Sequence, residues 1–263
     1  LPMGVYDIIV FNRSFNDFSN IAFRGNSYET LEAYARKVET RVDKKTRVET
    51  RTIISSPDEL AAATLKGFTV TEDMLGNYSQ TTYGRTAPSR SSEETPDGLY
   101  HLHFVPKKLT REVSAVLHIE GLNNIRSATC RLGGVAESIF LATGKTSANT
   151  VTQEFTPSNP EFSPGSPFNG TLSCEFEIFG LNVIDNNNLH LDALLVDGKT
   201  EFEGDCTNVK ITENDDGPGS VTLILEASTE KVPDVKPEGG AGSGFDVDVD
   251  GWGNEINTDI PIN

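Results

Sequence analysis

The chain has 263 residues, 39 acidic against 22 basic, for a formal charge of −17. That balance repels phosphate backbones and anionic lipid at long range and disfavours nucleic-acid binding. A hydrophobic share of 36%, with 23 glycines and 13 prolines, favours turns and short strands over helix bundles.

In chain order, residues 4–12 are β-branched and aromatic and run into the polar stretch 12–20, which reads as a buried strand and a loop. A second short strand is expected over 21–24. Tyr28, Leu31, Tyr34, Ala35 and Val38 fall near i, i+3, i+7 spacing, predicting a brief helix over 29–38, although 38–52 alternates well enough to be strand instead. Ser56-Pro57-Asp58-Glu59 carries the N-terminal signals of a second short helix reaching Ala63. Residues 78–98 are nearly bare of aliphatic side chains, so a connection is expected there, with a boundary near Pro96 and two domains, 1–98 and 99–263.

Beyond it, residues 99–104 are strand-like. Residues 112–121 alternate cleanly, with Val113, Ala115, Leu117 and Ile119 on one face and Ser114, His118 and Glu120 mostly on the other. Further strands are expected over 127–132, 137–142, 149–155, 171–179, 188–196, 208–211 and 220–227, which together mean an all-β sandwich. Residues 231–244 form a Pro- and Gly-rich linker, and 255–262 alternate as a terminal strand would. No run approaches the roughly 18 to 20 apolar residues of a membrane span, and the first residues do not read as a signal peptide.

Chemistry-bearing residues are sparse. Three cysteines, at 130, 174 and 206, lack metal-like spacing; they read as buried thiols, with one Cys174–Cys206 bridge between strands as the alternative. Four scattered histidines and no GxSxG motif leave few groups for hydrolytic catalysis, so a non-enzyme without a cofactor is expected. His101-x-His103 on a strand would present two imidazoles to one face, as in a metal site, against solvated histidines as the plainer reading. Asp246-x-Asp248-x-Asp250-Gly251 begins like a calcium loop, but Asn257 stands where the loop needs Glu and no helices flank it, so a strand with aspartates facing solvent is preferred.

Several phrases converge: Leu1-Pro2-Met3-Gly4-Val5-Tyr6-Asp7-Ile8-Ile9-Val10-Phe11-Asn12; Leu102-His103-Phe104-Val105-Pro106-Lys107-Lys108-Leu109-Thr110; Ile119-Glu120-Gly121-Leu122 with Leu132-Gly133-Gly134-Val135-Ala136; and Gly244-Phe245-Asp246-Val247-Asp248-Val249-Asp250-Gly251-Trp252. Together they resemble the fimbrillin-like cell-surface lipoproteins of Bacteroidales. The resemblance implies two tandem transthyretin-like β-sandwich domains with a few short helices, exported to the outer membrane as part of a fimbrium. It also implies that the N-terminal sandwich lacks upstream residues, and that membrane contact is made only through an N-terminal lipid anchor absent from this chain. The implied partners are other fimbrial subunits, joined by strand addition, with a host or bacterial surface ligand as a further partner. Ile256, Ile260 and Ile262 are the expected inserting side chains of a terminal donor strand. The rival expectation is a surface glycan-binding module or carbohydrate-active protein, which would need an exposed platform of Trp and Tyr.

Overall fold

The structure, a computed structural model, describes residues 1–42, 50–75, 93–94, 100–182, 187–215 and 221–237. The fold is all-β, and the helical elements among these residues are three short 3-10 turns. The first strands are β1 (Gly4–Phe11), β2 (Ile21–Arg24), β3 (Glu32–Ala35), β4 (Lys37–Val42), β5 (Thr50–Ile54) and β6 (Ala61–Val70). Three short ones follow, β7 (Glu93–Glu94), β8 (Tyr100–His101) and β9 (Lys107–Lys108). Then come β10 (Arg111–Glu120), β11 (Ile125–Ala136), β12 (Ser138–Phe140), β13 (Thr150–Phe155), β14 (Asn159–Phe162) and β15 (Asn169–Ile178). The last are β16 (Leu189–Leu195), β17 (Glu201–Asp205), β18 (Thr207–Asp215) and β19 (Val221–Ser228).

Two large sheets make the sandwich, one ordered β14-β15-β10-β19-β18 and the other β17-β16-β11-β13-β5-β4. Smaller sheets are ordered β1-β6-β9, β12-β3-β2 and β7-β8. Strands from both sides of residues 78–98 share sheets: β5 lies parallel to β13, and β3 antiparallel to β12.

The alternation of β10 decides the core. Val113, Ala115, Leu117 and Ile119 are all 2% exposed or less, and three of them sit level with inward residues of β15, in the pairs Val113–Phe176, Ala115–Cys174 and Leu117–Leu172. On its other side β19 runs parallel and supplies Leu223, Leu225 and Ala227 at the same levels. The facing sheet offers Ala128, Cys130 and Leu132 from β11, Val151 and Phe155 from β13, and Leu189, Leu191, Ala193 and Leu195 from β16, in one continuous cluster. Phe155 stacks on Phe176 across the interface, ring centroids 4.3 Å apart. Gln153 is buried in the same layer and donates through Nε2 to the carbonyl of Glu177, 2.8 Å away.

Neither expected helix forms: residues 29–38 and 56–63 contain no helix. Over 29–38 a turn at 29–30 leads into β3 and the start of β4: Ala33 and Ala35 are buried because β3 is held between β2 and β12. Pairing on both edges satisfies the backbone groups there, which a lone three-turn helix cannot match. Residues 56–60 belong to neither helix nor strand and lead directly into β6. The Ser56 hydroxyl is used across the molecule, accepting from the Glu177 N–H at 2.9 Å instead of capping a helix. Leu60 is fully buried, and its N–H meets Thr110 Oγ1 at 3.3 Å. Residues 102–106 are not strand, so the strand expected over 99–104 is confined in the described residues to β8.

Two polar devices brace the β12-β3-β2 sheet and tie the chain's later residues to the sandwich. Arg24 grips Glu32 with two hydrogen bonds, Nε to Oε2 at 2.6 Å and a terminal nitrogen to Oε1 at 2.9 Å. Ser138 of β12 donates to the same carboxylate. The Glu32 carboxyl is therefore held below its ordinary value, first by the Arg24 bond, against the opposing effect of burial. After β19 the chain continues beside β10: Thr229 N–H meets the carbonyl of His118 at 3.0 Å, and Val232 N–H that of Glu120 at 2.8 Å. Val232 is fully buried against Gly121, whose φ of +87° suits glycine and where a Cβ would lie 2.8 Å from the Val232 carbonyl oxygen.

These contacts set stability. Leu117→Ala and Leu132→Ala are expected to cost about 2–5 kcal/mol each in urea unfolding, whereas Val105→Ala, at an 84% exposed position, stays within about 0.5 kcal/mol. Gly121→Ala is expected to cost about 1–3 kcal/mol. Glu32 is depressed in the folded state, so its contribution is fully present above the ordinary glutamate value of 4.5 and is lost as pH falls through the folded value. Glu32→Gln should flatten the acid limb of a Tm-versus-pH profile. An unchanged limb would contradict the assignment.

Candidate functional site

An unpaired sheet edge offers backbone N–H and C=O groups to which another chain can pair, so the outer strands bear on docking. The β14 edge is four residues long and carries Pro160, which has no N–H to donate. The β18 edge is exposed and charged, with Lys210, Glu213 and Asp215, and a register shift next to Asn208, whose φ is +53°. The β17 edge turns Glu201, Glu203 and Asp205 to solvent. Charge, proline and bulges are the devices that keep edges from pairing.

The β1 edge lacks most of them. Its eight residues, Gly-Val-Tyr-Asp-Ile-Ile-Val-Phe, are hydrogen-bonded to β6 on one side, and among the described residues nothing pairs on the other. Leu1, Met3 and Val5 are 73%, 60% and 69% exposed, forming an apolar strip at its start. A bulge at Asp7, whose Oδ1 accepts from Gly67 N–H at 2.8 Å, separates this strip from the anchored end. Ile9 and Phe11 pack on the core. Phe11 also joins Phe15, Phe18 and Phe23 in a ring cluster with centroids 4.6 to 6.2 Å apart, which fixes the loop after β1. Asn12 clamps that loop to β6 by accepting from Ala61 N–H at 3.1 Å. One end of β1 is thus rigid and the other presents apolar surface.

A groove of about 460 Å³ lies where β10 and β19 begin, lined among others by Leu109, Ile139, Phe179, Leu181, Ile211 and Leu223. Its rim is charged: Lys108 meets Glu177 at 2.6 Å and Arg111 meets Glu213 at 2.9 Å. Burial works against the Lys108 ammonium, but Glu177, Glu59 and Glu112 outweigh it and raise its pKa. The aromatic ring in the lining, Phe179, is 2% exposed, so the groove gives a sugar no ring to stack on.

The residues singled out in the sequence are distributed as follows. Asp246, Asp248, Asp250, Ile256, Ile260 and Ile262 lie outside the described residues. Cys130, Cys174 and Cys206 are free thiols. Burial pushes Cys174 to about 11 and Cys206 to about 12, with Glu175 and Asp205 adding to it, and raises Cys130 further. All three are protonated and weakly nucleophilic at neutral pH. His101 and His103 are exposed, and neither joins a three-ligand group among the described residues. Nor, among those residues, is any helix long and apolar enough to cross a membrane. The β1 edge was missed in the sequence because an apolar strand reads the same whether one side or both are paired.

No curated protein matches the chain. Among solved structures it is similar to an adhesin candidate from Bacteroides ovatus ATCC 8483, at 16% identity and a TM-score of 0.49, covering 78% of this chain and 65% of that one. It is also similar to an adhesin candidate from Bacteroides thetaiotaomicron VPI-5482, at 12% identity and a TM-score of 0.37, covering 73% and 57%. Another from Bacteroides ovatus matches at 9% identity and a TM-score of 0.31, covering 77% and 56%. The chain therefore spans 56% to 65% of the length of these structures. The description "Domain of unknown function (DUF5119)" matches residues 1–156, more than half of the sequence, and the chain belongs to that family.

Proposed function

We propose that the chain is a non-enzymatic adhesin-type subunit of the bacterial cell surface, assembling with other subunits by strand addition. The observation that carries the reading is β1: a long apolar strand, open on one side among the described residues, in a molecule whose β14, β17 and β18 edges are blunted by charge and proline. An incoming strand would gain main-chain hydrogen bonds along β1, and alternate apolar side chains would set its register beside the strip of Leu1, Met3 and Val5. The alternating segment 255–262 of a neighbouring copy suits that role, with Ile256, Ile260 and Ile262 inserting and Pro261 limiting how far pairing runs. A place in a fimbrium of the outer membrane, with membrane contact through a lipid anchor upstream of Leu1 and attachment to a host or bacterial surface ligand, belongs to the same reading.

The test places lysines where natural edges carry them. Met3→Lys with Val5→Lys is expected to abolish self-association, read by cross-linking and electron microscopy, while Tm stays within a few degrees because both positions are exposed. Ile256→Asp with Ile260→Asp should abolish it equally. Assembly that persists in the lysine variant would remove β1 as the docking edge. Assembly that persists in the aspartate variant would remove 255–262 as the donor.

A further inference from the structure

The solvent face of the six-stranded sheet holds a polar cluster that strand addition does not use. Inward-facing Leu189, Leu191 and Ala193 send the intervening His190 and Asp192 of β16 to the outer face. Register places Glu203 opposite Asp192 and Asp205 opposite His190 on β17. The hairpin joining the two strands is closed by Asp197, whose Oδ1 accepts from the N–H groups of Lys199 at 3.0 Å and Thr200 at 2.8 Å. Four side chains are thereby fixed on two paired strands rather than on a loose loop.

The geometry points to a divalent transition-metal site formed by His190, Asp192 and Glu203. One potential ligand atom from each lies within 4.8 Å of the other two. Small rotamer changes bring that spacing to the roughly 3.4 Å ligand-to-ligand edge implied by metal bonds of about 2.0–2.2 Å. The neighbours orient the ligands. His190 Nδ1 contacts Asp205 Oδ1 at 2.8 Å, and Nε2 points at Asp192 Oδ1, 3.2 Å away. A carboxylate on the far ring nitrogen is the usual support of a metal-bound histidine, fixing its tautomer and raising its basicity. Arg131 holds the other Asp192 oxygen and also Glu154, at 3.1 Å, leaving Oδ1 turned toward the imidazole.

Charge favours a cation independently of this geometry. Arg131 pairs with Glu154 and Asp192, while Glu203 and Asp205 stand beside Asp192 and His190 on the paired strand, an acidic surround that a dication would suit. An imidazole with two carboxylates suits Zn²⁺, Co²⁺ or Ni²⁺; Ca²⁺, which takes oxygen ligands, would find too few. With three protein ligands on a solvent-facing sheet, the coordination is completed by water. Binding would lock β16 to β17 at the edge of the sheet.

The probes are Zn²⁺ by calorimetry and Co²⁺ by its visible spectrum, on the full chain after chelator treatment. One equivalent is expected to bind, with a Tm that rises on Zn²⁺ addition and returns with chelator. His190→Ala and Glu203→Gln should each weaken binding at least tenfold, and Asp205→Asn, a positioning residue, about 10- to 100-fold. His101→Ala with His103→Ala should leave affinity unchanged, and excess Ca²⁺ should not compete. A ring-nitrogen resonance of His190 that shifts with Zn²⁺ gives a readout in the unaltered protein. Non-saturating uptake, an unmoved His190 resonance, or affinity indifferent to His190→Ala would overturn the site.

Discussion

Strand β10 is hydrogen-bonded along much of its length on both sides, antiparallel to β15 and parallel to β19, and most of the molecule follows from that double pairing. With both edges occupied, its register is locked: slipping by one residue would turn Val113, Ala115, Leu117 and Ile119 to the opposite face. Three of these set the levels at which Phe176, Cys174 and Leu172 enter from one side and Leu223, Leu225 and Ala227 from the other. The opposing sheet then has a surface of defined relief to pack on. Phe155 on Phe176 shows how closely the two faces meet.

The same ladder was the most legible part of the sequence, because one buried and one exposed face give strict alternation. Edges were less legible: β14 and β17, written Asn-Pro-Glu-Phe and Glu-Phe-Glu-Gly-Asp, are polar enough to pass for loops. The two misread helices failed for different reasons. Over 29–38 the apolar spacing fits either period, and pairing to β2 and β12 decides it; at Ser56-Pro57 the capping residues are present, but Glu177 competes successfully for the hydroxyl.

The candidate surfaces were harder to read. That β1 stands at the rim of its sheet, and that His190 meets Asp205 across a hairpin, are facts about partners far along or across the chain. Composition gives a strand's character but not its neighbours. The family resemblance named a mode of action and a terminal donor; the proposed acceptor, β1, comes from the sheet order, and its fixed end is built from four phenylalanines.

The parallel pairing of β10 with β19 also constrains the order of events in a newly made chain. Val113 meets Leu223, and Val232 lies further along still. As the polypeptide emerges from its amino end, β10 has no second flank until β19 is free. Contacts of such long sequence separation fold slowly. The sandwich therefore cannot close until β19 has been made, and until then β10 and β15 form a ladder with one flank open.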